Sequence, residues 1–166
     1  MQHIVDKHHA WLYRQLPVIE QLMDRVADVH GGKRPETVFP LRRIFVRLRE
    51  ELEGHMRKEE SVLFPAIVRL EAQTADGGTL PRESFGSLRH PVSMMEDEHD
   101  TVAQYLDEMR DLTYGYAPPE DACLSFRTLY HELEALEADI HTHVHLENNI
   151  LFPRAAQLER EGRSPQ

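Results

Sequence analysis

The chain contains one pattern twice, HMRKEESVLFP at residues 55–65 and HVHLENNILFP at residues 143–153. In each copy a Glu follows a His by four residues, and Leu-Phe-Pro comes next at the same offset. Residues four apart lie one above the other on the same face of an α-helix. His55 and Glu59 therefore point the same way, as do His143 and Glu147. Two such pairs facing each other would hold two metal ions.

The composition limits the class of protein. At 166 residues the chain has the size of a single domain, residues 1–166, which is large enough to bury a core. Its net charge of −10 disfavours nucleic acid and anionic membrane surfaces as partners. The sequence contains neither an apolar run long enough to span a membrane nor a signal-peptide pattern. We therefore expect a soluble cytoplasmic protein.

The chain has one cysteine, Cys123. One thiol cannot form a disulfide within the chain or ligate an iron–sulfur cluster by itself. We expect Cys123 to be a buried helix residue without a redox role.

The spacing of apolar residues predicts four helices and no strands. The predicted helices cover residues 4–30, 36–71, 92–114 and 118–161. The first ends at Gly31-Gly32, and a loop at residues 74–91 separates the second helix from the third. Four prolines are expected to kink or end a helix locally: Pro17, Pro40, Pro65 and Pro153.

Each predicted helix has an apolar stripe, which is interrupted only by a His or by a His-Glu pair. After the two pairs, the same spacing continues the stripes to Val62 and Ile150. An unpaired buried carboxylate is costly, so two buried Glu among four buried His indicate a compensating cation. The interrupting residues, which we predict to be metal ligands, are His9, His55, Glu59, His99, His143 and Glu147.

The positions of these residues also predict how the helices pair. Residues equidistant from the turn of an antiparallel hairpin lie at the same level. The midpoint of His9 and His55 is residue 32, at the Gly pair, and the midpoint of His99 and His143 is residue 121, just past Pro118-Pro119. We therefore predict an all-α, up-down-up-down four-helix bundle with a di-metal site in its core.

The other histidines are poorer candidates. His8 competes with His9, although the three-to-four phase favours His9. His141 and His145 are four residues apart and could bind a metal at the surface. His30 lies at a helix end, where its charge would interact favourably with the helix dipole.

Three further residues are candidates for orienting a ligand or carrying protons. Glu51 lies one turn before His55, and Glu98 adjoins His99. Tyr13 lies one turn beyond the ligand of the first helix. The alternative is a solvated surface charge for Glu51 and Glu98, and simple packing for Tyr13. We predict no catalytic residue beyond these and the metal site.

The donor set limits the choice of metal. Nitrogen and oxygen donors without a thiolate suit iron or manganese, and suit zinc less well. If both carboxylates bridge the ions, each ion has two imidazoles, two bridging oxygens and a shared oxo or hydroxo group. One coordination position on each ion then stays open for O₂, NO or peroxide. Ferritin-like sites use Glu-x-x-His pairs and more carboxylates, so that class is disfavoured.

The sequence resembles the hemerythrin-like, or HHE, di-iron domain. The likeness is closer to the bacterial repair-of-iron-centres di-iron proteins. It rests on the segments IVDKHHAWLYRQLP, EGHMRKEESVLFP, HPVSMMEDEHD and HTHVHLENNILFPRA. Hemerythrins proper typically have a fifth ligand His, and no stripe here offers one. The repair proteins usually carry a short cysteine-containing domain before the bundle, whereas this chain starts directly at the bundle.

The resemblance implies the same six ligands, with Glu59 and Glu147 bridging two irons. It also implies a protein of nitrosative and oxidative stress that binds NO, reduces it to N₂O and helps to restore iron–sulfur centres, by supplying iron. The partners would then be iron–sulfur proteins and an electron donor. A carrier, store or sensor of O₂ or NO without turnover is the alternative. A bundle with structural zinc or no metal requires an accidental repeat.

Overall fold

Four long helices make up the part of the chain that the structure, a computed structural model, describes: residues 1–75 and 87–163. We label them α1 (residues 2–30), α2 (residues 35–75), α3 (Arg89–Leu112) and α4 (residues 124–163). Three of them contain a π-helical turn between α-helical segments, as the following bounds show. The segments are Gln2–Ile4, Val5–His9 and Ala10–His30 in α1; Pro35–Lys58, Glu59–Leu63 and Phe64–Ala75 in α2; and Leu124–Leu146, Glu147–Leu151 and Phe152–Arg163 in α4.

The helices form the predicted bundle. Helix α1 packs against α2 and α4, α2 packs against α3, and the C-terminal segments of α2 and α4 pack against each other. The prediction of an all-α four-helix bundle is therefore confirmed. Within the described ranges, no helix has the length and apolarity that a membrane crossing requires.

The buried apolar side chains form two clusters, and the predicted ligands lie between them. One cluster includes Leu12 and Met56, and the other includes Ile4 and Leu63. Along α1 the chain passes from the cluster with Ile4, through His9, to the cluster with Leu12. Along α2 it passes through the same layers in the opposite order. The site residues thus form one polar layer between two apolar layers, as expected for antiparallel neighbours.

The π-helical turns correct the predicted core. The Phe64 N–H donates to the Glu59 carbonyl, five residues back, so the wide turn holds one extra residue. The buried face therefore moves by one position, to Leu63 and Phe64. Val62 is 60% exposed, and the prediction that it belongs to the core was wrong.

The second copy of the motif has the same wide turn, although Leu151 is half-buried where Leu63 is buried. The Phe152 N–H donates to the Glu147 carbonyl, Phe152 is buried, and Ile150 is 57% exposed, which overturns its predicted core position. Pro153 and its counterpart Pro65 are each separated from a wide turn by one residue. Neither ends its helix, because each lies where the bonding changes register and the missing N–H is least costly.

Several predicted boundaries also move. Helix α4 begins at Leu124 and not at residue 118 as predicted. Pro118 and Pro119 lie in the connection before it. Cys123 is exposed at the residue before that helix, so the prediction of a buried helix residue was wrong. The predicted loop at 74–91 is helical at residues 74–75 and 89–91, and residues 76–86 lie outside the described part.

Candidate metal centre

The structure brings all six predicted ligands into the polar layer between the clusters. They are almost fully buried: His99 is 5% exposed, and the others are at most 1% exposed. Three of the helices make their wide turn at this level, since His9 ends one such turn while Glu59 and Glu147 each begin one. Such turns are frequent at functional sites, where they re-aim side chains inward.

The six residues form two overlapping groups of four. One group is His9, His143, Glu59 and Glu147, and the other replaces the two histidines by His55 and His99. Within each group, one donor atom from every residue lies within 4.8 Å of the others. Both carboxylates belong to both groups, so they stand where two ions would share them.

Each group presents imidazole Nε2 atoms in close pairs. The distance between the Nε2 atoms of His9 and His143 is 3.1 Å, and it is 3.1 Å between those of His55 and His99. A divalent ion bonded to imidazole nitrogen at about 2.1 Å separates adjacent donors by about 3 Å. Both pairs therefore have the spacing of neighbouring ligands on one ion.

The carboxylate oxygens lie between the two histidine pairs. Glu147 Oε1 is 2.8 Å from His143 Nε2, and its Oε2 is 3.1 Å from His99 Nε2. Glu59 Oε2 is 3.3 Å from His9 Nε2 and 3.4 Å from the Nε2 of His55. Each carboxylate therefore contacts a histidine of both groups, which is the arrangement a bridging ligand needs.

Several of these oxygens lack a hydrogen-bond donor. Both oxygens of Glu59 and Oε2 of Glu147 are buried and accept no hydrogen bond from the described residues. A buried carboxylate without partners is strongly disfavoured, and cations bound between the oxygens would satisfy it. The residues present therefore fit a pair of metal ions.

The two carboxylates differ in their electrostatics. Burial raises the pKa of Glu59; the nearby His9 imidazole opposes this rise, and the charge of Glu147 adds to it. Burial also acts to raise the pKa of Glu147. The hydrogen bond from His143 and the nearby imidazoles of His55 and His99 outweigh that effect and hold this pKa well below its usual range.

The carboxylates raise the pKa of two of the histidines. Burial acts to lower the pKa of His55, but Glu147 and Glu59 outweigh it and raise the pKa to about 9. In His9 the same opposition, dominated by Glu59 and Glu60, leaves the pKa raised. Both shifts favour the protonated imidazole beside the Glu pair in the metal-free chain, and a bound ion would have to displace those protons.

Three of the histidines have a hydrogen-bond partner on their outer nitrogen. The Nδ1 atom of His9 lies 2.7 Å from Glu60 Oε1. The Nδ1 of His55 lies 3.0 Å from Glu98 Oε2. The third partner is a neutral amide, Asn148, whose Oδ1 lies 3.0 Å from the Nδ1 of the α3 histidine. An outer acceptor fixes the proton on Nδ1 and leaves the Nε2 lone pair for a metal.

The three residues that we predicted to orient a ligand or carry protons differ in what they contact. Glu98 does contact a ligand, His55, and it also pairs with Lys58. Burial acts to raise the pKa of Glu98, but these two partners lower it. Glu51 makes no hydrogen bond or ion pair with the described residues. Tyr13 is 39% exposed, and the burial of the rest of its side chain raises the pKa of its hydroxyl.

Sequence reasoning missed Glu60 and Asn148. Each directly follows a bridging candidate in the repeated motif, and each contacts the single histidine of the preceding helix. The available signal was the polar residue after the Glu in both copies of the motif.

The structure also separates His8 from His9. His9 reaches the centre, whereas the Nδ1 of His8 lies 2.9 Å from Asp139 Oδ1. The His8 ring stacks on His143 with 5.6 Å between ring centroids and 6° between the planes. His8 therefore packs against a ligand and does not join the group. His30 lies elsewhere, with its Nε2 3.1 Å from Cys123 Sγ.

The comparison with protein families agrees with this geometry. The model of the hemerythrin HHE cation binding domain matches residues 1–155. The chain belongs to this family of cation-binding helical proteins.

Among curated proteins, the chain is similar to the iron-sulfur cluster repair protein YtfE of Yersinia pseudotuberculosis serotype O:1b and to that of Yersinia pestis. Each is 38% identical over 156 residues. The alignment covers 94% of this chain and 64% of the length of each relative. The chain thus spans less than two thirds of the relatives that it matches.

Proposed function

We propose that the chain is a non-haem di-iron protein. His9 and His143 would hold one ion, His55 and His99 the other, and Glu59 and Glu147 would bridge them. The observation that carries the proposal is the pair of four-residue groups that share both carboxylates, with buried oxygens that lack donors. Iron suits six nitrogen and oxygen donors without thiolate; manganese or zinc would be substitutes.

We further infer a role in nitrosative and oxidative stress. The relatives named above are iron-sulfur cluster repair proteins, and the alignment with them covers 94% of this chain. We therefore assign this chain a cytoplasmic role in supporting repair of iron–sulfur centres, by iron supply or by removal of NO. Iron–sulfur proteins and an electron donor are the expected partners.

When bound, the iron pair would supply open positions for NO and the electrons for its reduction, in which two NO, two electrons and two protons yield N₂O and water. The chain's own residues hold and orient the donors. Glu60, with a side chain 35% exposed, keeps the proton on Nδ1 of His9 and aims its Nε2 inward. Glu98 does the same for His55.

A cavity gives a small ligand a place beside the centre. It has a volume of about 270 Å³ and lies between α3 and α4, with His99 in its wall. Five apolar residues form most of the lining: Val102, Ala103, Leu106, Ile140 and Val144. The apolar part of this lining suits a diatomic ligand, whether the protein turns it over or only carries it. Binding of O₂ or NO without turnover is thus the second candidate function.

Metal content tests the centre. Protein purified without added metal or chelator should contain close to two irons per chain. The variant Glu59→Ala/Glu147→Ala should lose the two-metal site. Glu51→Ala/Glu134→Ala, which also removes one Glu from α2 and one from α4, should retain it. A bridging-pair variant that still loads two irons would overturn the assignment.

Production of N₂O separates the two functions. The reduced, iron-loaded chain is mixed with NO under anaerobic conditions, and headspace N₂O is measured. Release of N₂O at half the NO consumed indicates reduction. Formation of an iron–NO complex without N₂O leaves carriage or storage as the function.

A further inference from the structure

The cavity between α3 and α4 has two histidines that the proposed centre does not use. His141 and His145 line it together with His99 and Asn149. Both are exposed and lie on the α-helical segment Leu124–Leu146. The cavity therefore has a core histidine at its inner wall and two surface histidines in its lining.

The cavity meets the proposed centre at its most exposed residue. His99 is 5% exposed, whereas each of the other five predicted ligands is at most 1% exposed. The outer nitrogen of His99 contacts Asn148, the residue before Asn149 of the cavity wall. A species that travels between solvent and the centre along this wall would pass the two surface histidines.

The two surface histidines have the spacing of a metal-binding pair. Residues four apart on a helix have Cβ atoms about 5–6 Å apart, so one ion can contact both imidazoles. The Nδ1 of His145 lies 3.0 Å from the amide nitrogen of Asn149. With that amide turned so that its oxygen accepts from Nδ1–H, the Nε2 of His145 is free to bind a cation.

The charges around the cavity also favour a cation. Neither Lys nor Arg is among the described residues that line it. The chain as a whole carries a net charge of −10, which attracts cations to its surface. Nothing in the cavity lining therefore repels a divalent ion.

We propose that His141 and His145 form an outer divalent-metal site at which iron pauses on its way into or out of the core. The inference rests on the proposed di-iron function, since it gives that centre a route for loading and release. The outer pair binds more weakly than the centre, because it offers two neutral imidazoles and no carboxylate. Weak binding suits an ion that must move on.

Zinc binding tests the site itself. The iron-loaded chain is dialysed against Zn²⁺, and bound zinc is counted per chain. The variant His141→Ala/His145→Ala is compared with His90→Ala/His131→Ala, which removes two other exposed histidines. Ala is the best helix former, so neither pair of exposed substitutions should harm the fold. We expect the wild type and the His90/His131 control each to bind one zinc. The His141/His145 variant should lack this zinc. Equal zinc on both variants would overturn the proposal.

Iron uptake tests the route. Fe²⁺ is added anaerobically to the metal-free chain, and uptake is followed over time. The His141/His145 variant should load more slowly than the His90/His131 control and reach the same final iron content. Equal loading rates would overturn the role in metal transfer, even if zinc binding is lost. A wild type that takes up no iron while the zinc difference persists would contradict the di-iron function and not the outer site.

Discussion

The two hairpins of the bundle present the same residue types to the proposed centre, but different residues contact these histidines from outside. In α1 and α2, a carboxylate, Glu60, contacts the Nδ1 of His9. In α3 and α4, the residue at the equivalent position is the neutral Asn148, which contacts His99. The repeat thus preserves the residues aimed at the centre and changes the residue that follows each Glu.

A second pair of equivalent positions differs as well. The residue before the single histidine of α3 is Glu98, which contacts His55. The residue before the single histidine of α1 is His8, which stacks on His143 and contacts Asp139. The layer is therefore nearly two-fold symmetric in its donors and asymmetric in its charge. The difference suggests a division of roles: two histidines and the two shared carboxylates would define each metal position, while their neighbours would set how strongly each position holds its ion.

The largest expected effect separates the two bridging carboxylates in the metal-free chain. Three histidines hold the pKa of Glu147 low, whereas burial and the charge of Glu147 raise that of Glu59. We expect Glu147→Gln to destabilise the metal-free chain by about 3 kcal/mol, because it breaks a buried ion pair. Glu59→Gln should be close to neutral. Denaturant unfolding in the presence of chelator measures both, and equal losses would show that the two positions are equivalent.

The next effect is a pH dependence of the metal-free chain. The pKa of His55 is raised to about 9 by Glu147 and Glu59, against the effect of burial. A raised folded-state pKa contributes stability that is complete below the ordinary value of about 6.5 and is lost as pH rises through the folded value. We expect unfolding free energy to fall by about 2 kcal/mol between these limits. In His55→Gln the unfolding free energy should fall clearly less over the same pH range. An unchanged fall would mean that other groups, such as His9, cause the pH dependence.

The outer partners should have a smaller effect, seen in metal affinity. Glu60→Gln keeps an acceptor for His9 but removes its charge, and we expect about tenfold weaker binding of the ion that His9 would hold. Asn148→Asp places a carboxylate at the equivalent position beside His99 and should strengthen the other position. Competition with a chelator at fixed pH measures both changes. Shifts in the same direction would contradict the idea that charge at these positions sets the strength.

The smallest effect concerns two exposed residues in the wide turns that the two hairpins share, with a buried neighbour as the contrasting control. Val62 and Ile150 are exposed, so replacing either by Lys should change stability by less than about 0.5 kcal/mol. The neighbouring Leu63 is 2% exposed, and Leu63→Ala should cost about 2–4 kcal/mol. Thermal unfolding distinguishes these outcomes. A large loss in Val62→Lys would mean that the helix runs through this region without the extra residue.

The sequence by itself determined the class of fold, the pairing of the helices and the group of six. Helical periodicity places His55 and Glu59 on one face, and the cost of burying carboxylates makes such pairs informative wherever an apolar stripe contains them. Helical periodicity and a His-Glu pair on an apolar stripe can both be recognised within a few turns of one helix. The repeated motif supplies each of these signals twice.

Only the tertiary structure decided the rest. Glu60, Glu98 and Asn148 meet their histidines across 51, 43 and 49 residues of chain, and no local period encodes such contacts. The phase of the core after each motif was also beyond the sequence pattern, since a constant helical period cannot show where a π-helical turn adds a residue. Four of the inner donors follow from the repeat, and His9 and His99 follow from the apolar stripes of their helices. The surroundings of all six follow from which helices pack together.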